Sequence, residues 1–585
     1  MKLGLALSGG GFRAAFFHIG VLARMAEIGK LRQVEVISTV SGGSIVGAMY
    51  YIKLKKLFET NISPSNEQLV QLVQELEIEF LEGVQKNIRM RTFLNPLKNL
   101  KMSLASYSRS DRLAELYDKF FYRPVLNPVS SEMIKMRDLK INPGGRPAHP
   151  DEFNKTSHQH FASQLPILNT LIENDACKLP IILINATSLN SGHNWRFEAS
   201  RMGEPDAAVS KSLSKIDKNC RFNRPKTYED MPERPRETKL GHAVAASACV
   251  PALFHPLSVS ELYQEDCRIQ LVDGGVHDNQ GIQALIDRQC DEMIVSDASG
   301  HMSDETAPST QIHQVLMRSN KILMDRVREE ELKSILDDND INVTFMHLRQ
   351  GLTKKTFAYI NEPNPITSEP SQTLCFGVHP EIQDAISHIR TDLDSFSDIE
   401  ADTLMADGYL MSKHQFEEQQ TKCQGHWRFS YLFELITSNN NPNLIKHLKT
   451  SSKQFLKVFF LKPVISIILF LLLAAIIGGA IWWSFGDQIQ AYLDQPLNIE
   501  TRYDLFIYIA VAALFMILSF LFARLKVLYS LHKSIRQPAT FIWRFLAHAL
   551  LPALGSIFIK LHLVTFDKVF LKAGKREKFI KQRKD

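Results

Sequence analysis

Apolar residues in the first 350 positions follow two alternating rhythms. Leu3–Leu7 is a short apolar run, and Val34–Val40 is a longer one rich in β-branched residues; both have the length of a buried strand. Between them Phe12, Phe16, Ile19, Leu22, Met25 and Ile28 recur at helical spacing, which predicts a helix over 12–29. The runs Leu179–Asn185, Ile269–Asp273, Met293–Asp297 and Ile341–Leu348 predict further strands. A long amphipathic helix is expected over 308–340, and the small residues of Gly241–Val250 form a tightly packed helix stopped by Pro251. Strands that alternate with helices imply an α/β fold with a largely parallel sheet.

Other stretches break that rhythm. Residues 60–165 read as a mainly helical insertion, with a basic run from Lys86 to Arg112 and a Pro/Gly/His loop from Asn142 to His160; it is either a lid over the site or a solvated excursion. No pattern assigns 371–437, and Asn439–Pro442 reads as a linker. Beyond it the character changes. Residues 464–483 and 505–523 are uncharged, and each is long enough to cross about 30 Å of hydrocarbon. Lysines 446, 449, 453, 457 and 462 precede the first stretch, and Arg524, Lys526, Lys533 and Arg536 follow the second. The connection 484–504 holds four acids and one arginine, so a two-span hairpin with both ends cytoplasmic is expected.

Charge sharpens that division. The net charge of +5 conceals a tail, 524–585, with 14 lysines and arginines against three acids, which leaves the rest of the chain acidic. An anionic membrane surface is the partner expected for this tail, not a nucleic acid. Seven widely spaced cysteines, odd in number and without a C-x-x-C pair, suggest neither a disulfide framework nor zinc, and a reducing compartment fits them. No metal or cofactor is expected. The apolar run before Gly9 is too short for a secretory signal.

Three stretches carry candidate chemistry. The run Val34–Val40 stops at Ser41 and restarts at Gly42-Gly43 as a helix-compatible segment, a strand-turn-helix corner that pushes a hydroxyl out of the turn with a helix N-terminus behind it. The usual G-x-S-x-G spacing becomes Thr39-Val-Ser41-Gly-Gly43 here. Ser8-Gly9-Gly10-Gly11 ends at the start of a helix and offers backbone amides to an anion, either a phosphate or a developing oxyanion. Gly9-x-Gly11-x-x-Ala14 also fits a relaxed dinucleotide fingerprint, but the nearest acid, Glu35, lies at the wrong end of the second strand. The third stretch is Asp273-Gly274-Gly275, where a strand delivers a carboxylate into a glycine turn. A serine needs a base, and a carboxylate in a partly desolvated site can serve. His277, His18, His242 and His255 are alternative bases, though none holds a motif position.

Taken in order, Gly9-Gly-Gly11-Phe-Arg13, Thr39-Val-Ser41-Gly-Gly43 and Asp273-Gly-Gly275 resemble the motifs of the patatin-like phospholipase family, and Ser8–Ala14 is similar to the glycine-arginine motif of cytosolic phospholipases A. The resemblance implies a three-layer α/β serine hydrolase with Ser41 as nucleophile, Asp273 as base and the Gly9–Gly11 amides as oxyanion donors. Gly43, Gly274 and Gly275 would shape the turns. Arg13 would either hold a substrate phosphate or brace the glycine loop. The expected organisation is a hydrolase domain over 1–437, a basic linker 438–463, two spans within 464–523 and a basic amphipathic tail 524–585. The expected activity is cleavage of fatty acyl esters in membrane lipid; the rival is an idle lipid-binding or scaffolding module. Oligomeric state is not legible.

Overall fold

The computed structural model describes residues 1–143 (except 103–106 and 127), 177–205, 222, 225–300 (except 252 and 265), 305–352, 359–360, 374–472 (except 439, 455 and 456), 475, 479, 482 and 551–581. These fall into two units. One draws on 1–88, 109–454 and 574–581, and the other on 89–108 and 455–573.

The first unit is built on a ten-stranded sheet. Its strands are β1 (Leu3–Leu7), β2 (Val34–Val40), β3 (Ile181–Ser188), β4 (Asn194–Phe197), β5 (Arg201–Gly203), β6 (Lys226–Thr227), β7 (Leu257–Val259), β8 (Ile269–Asp273), β9 (Glu292–Asp297) and β10 (Asn342–His347). The order β10-β9-β1-β2-β3 is parallel throughout. From β3 the sheet turns antiparallel through β4, β5 and β6, and β8 pairs with β3 and β7. Helices from the stretches between and after these strands pack about the sheet. They are α1 (Gly11–Glu27), α2 (Gly42–Thr60), α3 (Asn66–Val84), α4 (Arg109–Tyr117), α5 (Leu240–Ser247), α6 (Ile282–Asp287), α7 (Ile312–Leu336) and α8 (Asp398–Gln415).

Strand residues alternate between two cores, which makes the unit three-layered. Leu5, Leu7, Ile37, Ile182 and Ile294 face the large core with α1, α2, α3 and α8. Ala6, Val36, Leu183, Met293 and Val295 face a smaller one with α6 and Ile335 of α7. A sheet covered on both faces explains why these strands read as apolar runs instead of alternating ones.

Helix α1 is the centre of the large core, buried at every position after Gly11. Its crossing with α8 is close because two glycines face each other's helix: a Cβ on Gly20 would collide with the Met405 carbonyl, and one on Gly408 with the Phe17 carbonyl. Residues 374–437, within the stretch the sequence left unassigned, thus complete the core. Glu27 fastens them, accepting from Tyr409 Oη at 2.7 Å, Gly425 N at 2.9 Å and Trp427 Nε1 at 2.8 Å. Helix α8 begins on a capping box in which Ser397 N donates to Glu400 at 2.7 Å.

Two expectations are corrected here. The predicted insertion 60–165 does not begin as a lid: α3 packs into the core, with Phe80 against Phe12, Phe16 and Phe121. The reason is its stripe of Leu69, Val73, Leu76 and Phe80, which must be buried. Of the predicted Asn142–His160 loop, 144–160 lie outside the described residues. The basic tail, for its part, is not all surface. Arg576 donates from Nε and Nη2 to the two oxygens of buried Asp402, each at 2.7 Å, Ile399 N donates to Gly574 O at 3.0 Å, and Phe579 is buried.

In the second unit, Asn99 Nδ2 donates to Phe93 O and to Ser556 Oγ, tying Pro96–Lys101 to Leu551–Val564. Lys457 lies 4.0 Å from the ring centre of Phe570. No helix among the described residues is long and apolar enough to cross a membrane. The predicted span 505–523 and most of 473–483 lie outside the described residues. Residues 464–472 are helical, with Val464, Ile465, Ile467, Ile468, Phe470, Leu471 and Leu472 exposed.

Gly20→Ala and Gly408→Ala should each destabilise the first unit by about 2–3 kcal/mol or more, because the added methyl meets backbone that cannot rotate away. Denaturant unfolding checks this. A cost below 1 kcal/mol for both would contradict the close crossing.

Candidate active site

The site forms where two strand-to-helix turns lie side by side, β1 into α1 and β2 into α2. At the end of β2, Ser41 takes φ 49° and ψ −114°, a conformation that a side chain rarely adopts, and α2 starts at the next residue. This is the expected corner. Its glycines are needed for space: a Cβ on Gly42 would strike the Gly11 carbonyl, and one on Gly43 the Leu7 carbonyl. Gly42 was part of the sequence pattern but not among its named site residues; a Ser-Gly-Gly run does not say which glycine meets which backbone. Thr39 replaces the usual glycine two residues before the serine, and its methyl is received at Gly47, where a Cβ would lie 2.6 Å from Thr39 Cγ2.

Asp273 reaches Ser41 through sheet registry. One edge of β3 pairs with β2 up to Asn185, and from Ala186 onward that same edge pairs with β8, because β4 occupies the other edge. Asp273 lies opposite Ala186, immediately beyond the end of β2. Ser41 Oγ donates to Asp273 Oδ2 at 2.8 Å, and Gly275 N donates to Asp273 Oδ1 at 2.8 Å. Gly274 must lack a side chain because the Asn185 carbonyl lies against it, and Gly275 because Asn279 does. Burial pushes the Asp273 carboxyl up to about 6, and its two hydrogen bonds pull the other way.

Among the described residues no histidine bonds to Ser41 or Asp273. His18 lies beneath the glycine loop, its ring nitrogens on Ser296 Oγ at 2.7 Å and Ser8 O at 3.0 Å, and burial lowers its pKa to about 4. His242 faces Asp111. Burial also lowers His277, whose Nδ1 bonds to nothing in the described protein.

The glycine loop divides its amides unequally. Gly9 N donates to Asn279 O at 2.9 Å, so this predicted oxyanion donor is already engaged. The Gly10 and Gly11 amides donate to no acceptor among the described residues, and both residues have positive φ, 134° and 60°. Gly10 is further confined by Ala298 O, 2.8 Å from where its Cβ would be. Asn279 and Ala298 carried no motif signal in the sequence; tertiary packing alone brings them here. Arg13 turns onto backbone carbonyls. It is buried and donates to Ala298 O from Nε and Nη2, at 3.2 and 3.0 Å, and to Ser387 O and Ile389 O from Nη1. Of the two roles weighed, the brace is the one these contacts perform.

Residues 5–286 match the family model described as patatin-like phospholipase, a range that holds both Ser41 and Asp273. This stretch is similar to patatin-like phospholipases. The match supports an enzyme of the lipid ester hydrolase class. The patatin-like match stops before β9, β10 and α8, although these complete its sheet and core. No curated protein matches the chain. Among solved structures, human GIVD cytosolic phospholipase A2, in complex with methyl gamma-linolenyl fluorophosphonate and terbium chloride, is 12% identical with a TM-score of 0.34, over 72% of this chain and 59% of that one. VipD from Legionella pneumophila is 12% identical with a TM-score of 0.24, over 86% of this chain and 81% of that one. Likenesses this distant add nothing to the patatin-like assignment.

Because Asp273 is held above its ordinary carboxylate range, its ionisation costs the folded state stability as pH rises through about 6. Asp273→Asn should therefore raise Tm at pH 8 and change it little at pH 4, where the native carboxyl is protonated. Equal Tm shifts at both pH values would refute the desolvated carboxylate.

Proposed function

We propose that this protein is a lipid acyl hydrolase in which Ser41 and Asp273 form the catalytic dyad. The observation that carries it is the 2.8 Å hydrogen bond from Ser41 Oγ to a buried carboxylate, inside a patatin-like domain. Asp273 takes the hydroxyl proton as Ser41 Oγ attacks the ester carbonyl. The developing oxyanion lies against the Gly10 and Gly11 amides, where losing one donor typically costs about 2.7–4 kcal/mol of barrier. The tetrahedral intermediate collapses by breaking the bond to the leaving alcohol, which receives the proton from Asp273. Water then attacks the acyl-enzyme, Asp273 takes its proton, and the fatty acid leaves as Ser41 is re-protonated.

The substrate in this reading is an acyl ester of membrane lipid, and the chain is tethered by the uncharged stretches 464–483 and 505–523 with basic flanks on both outer sides. The path of the chain supports it: the first unit is left at 454 and rejoined at 574, and an excursion that returns to the same body crosses a membrane an even number of times.

A fluorophosphonate probe tests the dyad. Ser41 should be the labelled residue, Ser41→Ala should abolish labelling and ester hydrolysis, and Asp273→Asn should cost several orders of magnitude. The double variant should be scarcely worse than either single one, since the two act as a unit. Labelling that survives Ser41→Ala would overturn the dyad, and a wild type that takes no label would favour a lipid-binding module. In the wild type, kcat/KM should fall with decreasing pH around 6 as Asp273 is protonated.

The tether has its own test. A cysteine placed at Asp494 should react with an impermeant maleimide from the side opposite one placed at Lys449. Labelling of both from the same side would remove the hairpin.

A further inference from the structure

Ser41 is held by more than its turn. Its backbone N–H donates to Ser247 Oγ of α5 at 2.9 Å. Ser247 Oγ lies 2.8 Å from Ser44 Oγ, Ser44 Oγ donates to Thr39 Oγ1 at 3.0 Å, and Thr39 Oγ1 donates to Leu183 O of β3 at 3.0 Å. The direction of the chain follows from the number of hydrogens. Thr39 gives its only hydroxyl hydrogen to Leu183, and Ser44 gives its own to Thr39, so Ser247 must donate to Ser44 while accepting from Ser41. All three hydroxyls are fully buried. In such surroundings each would be costly without a partner, and here each has one.

We propose that Ser247, Ser44 and Thr39 are positioning residues that hold the Ser41 backbone in its strained conformation and so aim its hydroxyl at Asp273. The inference rests on Ser41 being the nucleophile. Ser41 at φ 49° and ψ −114° persists only if its surroundings over-determine it, and the hydroxyl chain supplies an anchor on three elements: α2, α5 and β3. It also gives the threonine at position 39 a function. A glycine there would leave Ser44 without its acceptor, and the methyl that accompanies the hydroxyl is accommodated by Gly47. Gly10 and Gly11 keep the oxyanion role, because the Ser41 amide is committed to Ser247.

The test compares fluorophosphonate inactivation of full-length wild type, Ser247→Ala and Thr39→Val over a range of pH. Ser247→Ala removes the acceptor of the Ser41 amide; Thr39→Val keeps the shape but breaks the chain two links away. Ser247→Ala should slow inactivation at Ser41 about ten- to hundredfold, and Thr39→Val less, since small misplacements of a nucleophile are costly. A looser Ser41 also weakens the bond that lowers the Asp273 pKa, so the pH midpoint of inactivation should move upward in both variants. A general loss of stability would not move that midpoint. Where Ser247→Ala fails to fold, Thr39→Val carries the test alone. Wild-type rates and midpoints in the folded variants would overturn the inference, as would slower inactivation with no shift in midpoint. Probe attached elsewhere than Ser41 in the wild type would instead defeat the nucleophile assignment, and this inference with it.

Discussion

The site depends on one steric constraint: two strand-to-helix turns pressed together backbone against backbone. Gly42 and Gly43 lie against the carbonyls of Gly11 and Leu7, and Gly43 N donates to Ser8 O at 3.1 Å. Only residues without a Cβ permit that approach. The contact sets the glycine loop beside the corner that carries Ser41, and the Gly10 and Gly11 amides have no acceptor among the described residues. Arg13 then holds the loop from behind through the Ala298 carbonyl. Its guanidinium makes four hydrogen bonds to backbone carbonyls, and burial pulls its pKa down to about 10 with the Asp297 carboxylate acting the other way.

Asp273 adds an electrostatic constraint to the steric one. A carboxylate beside the serine, with no histidine bonded to either among the described residues, can act as a base near neutral pH only if desolvation raises its affinity for a proton. The fold arranges this by letting β8 take over the β3 edge at the point where β2 ends. Sheet topology, and no local feature of the Asp-Gly-Gly turn, buries the carboxyl next to Ser41.

The end of the chain returns to the first unit. Residues 574–581 belong to the first unit through the Arg576–Asp402 pair and buried Phe579, so the basic end of the chain serves partly as a clasp. Basic charge counted over 524–585 does not separate a side chain that meets a carboxylate from one that faces water.

What the sequence determined by itself was local. Apolar runs and helical spacing located β1, α1, β2, β8, β9, α7 and β10 to within a few residues, because burial on both faces of a parallel sheet leaves little latitude in residue type. Ser41, Asp273 and the glycines stood out because turn geometry restricts residue choice at those positions. Tertiary structure alone decided the rest. Helix α8 was illegible because it is nearly all buried, including Asp402 and Asp407, and so has no polar face to mark its period. The commitment of Gly9 to Asn279, the turning of Arg13 onto carbonyls and the Ser247–Ser44–Thr39 chain each join residues far apart in sequence. Hydrogen-bond partners are chosen by proximity in the folded molecule, and no pattern along the chain encodes that proximity.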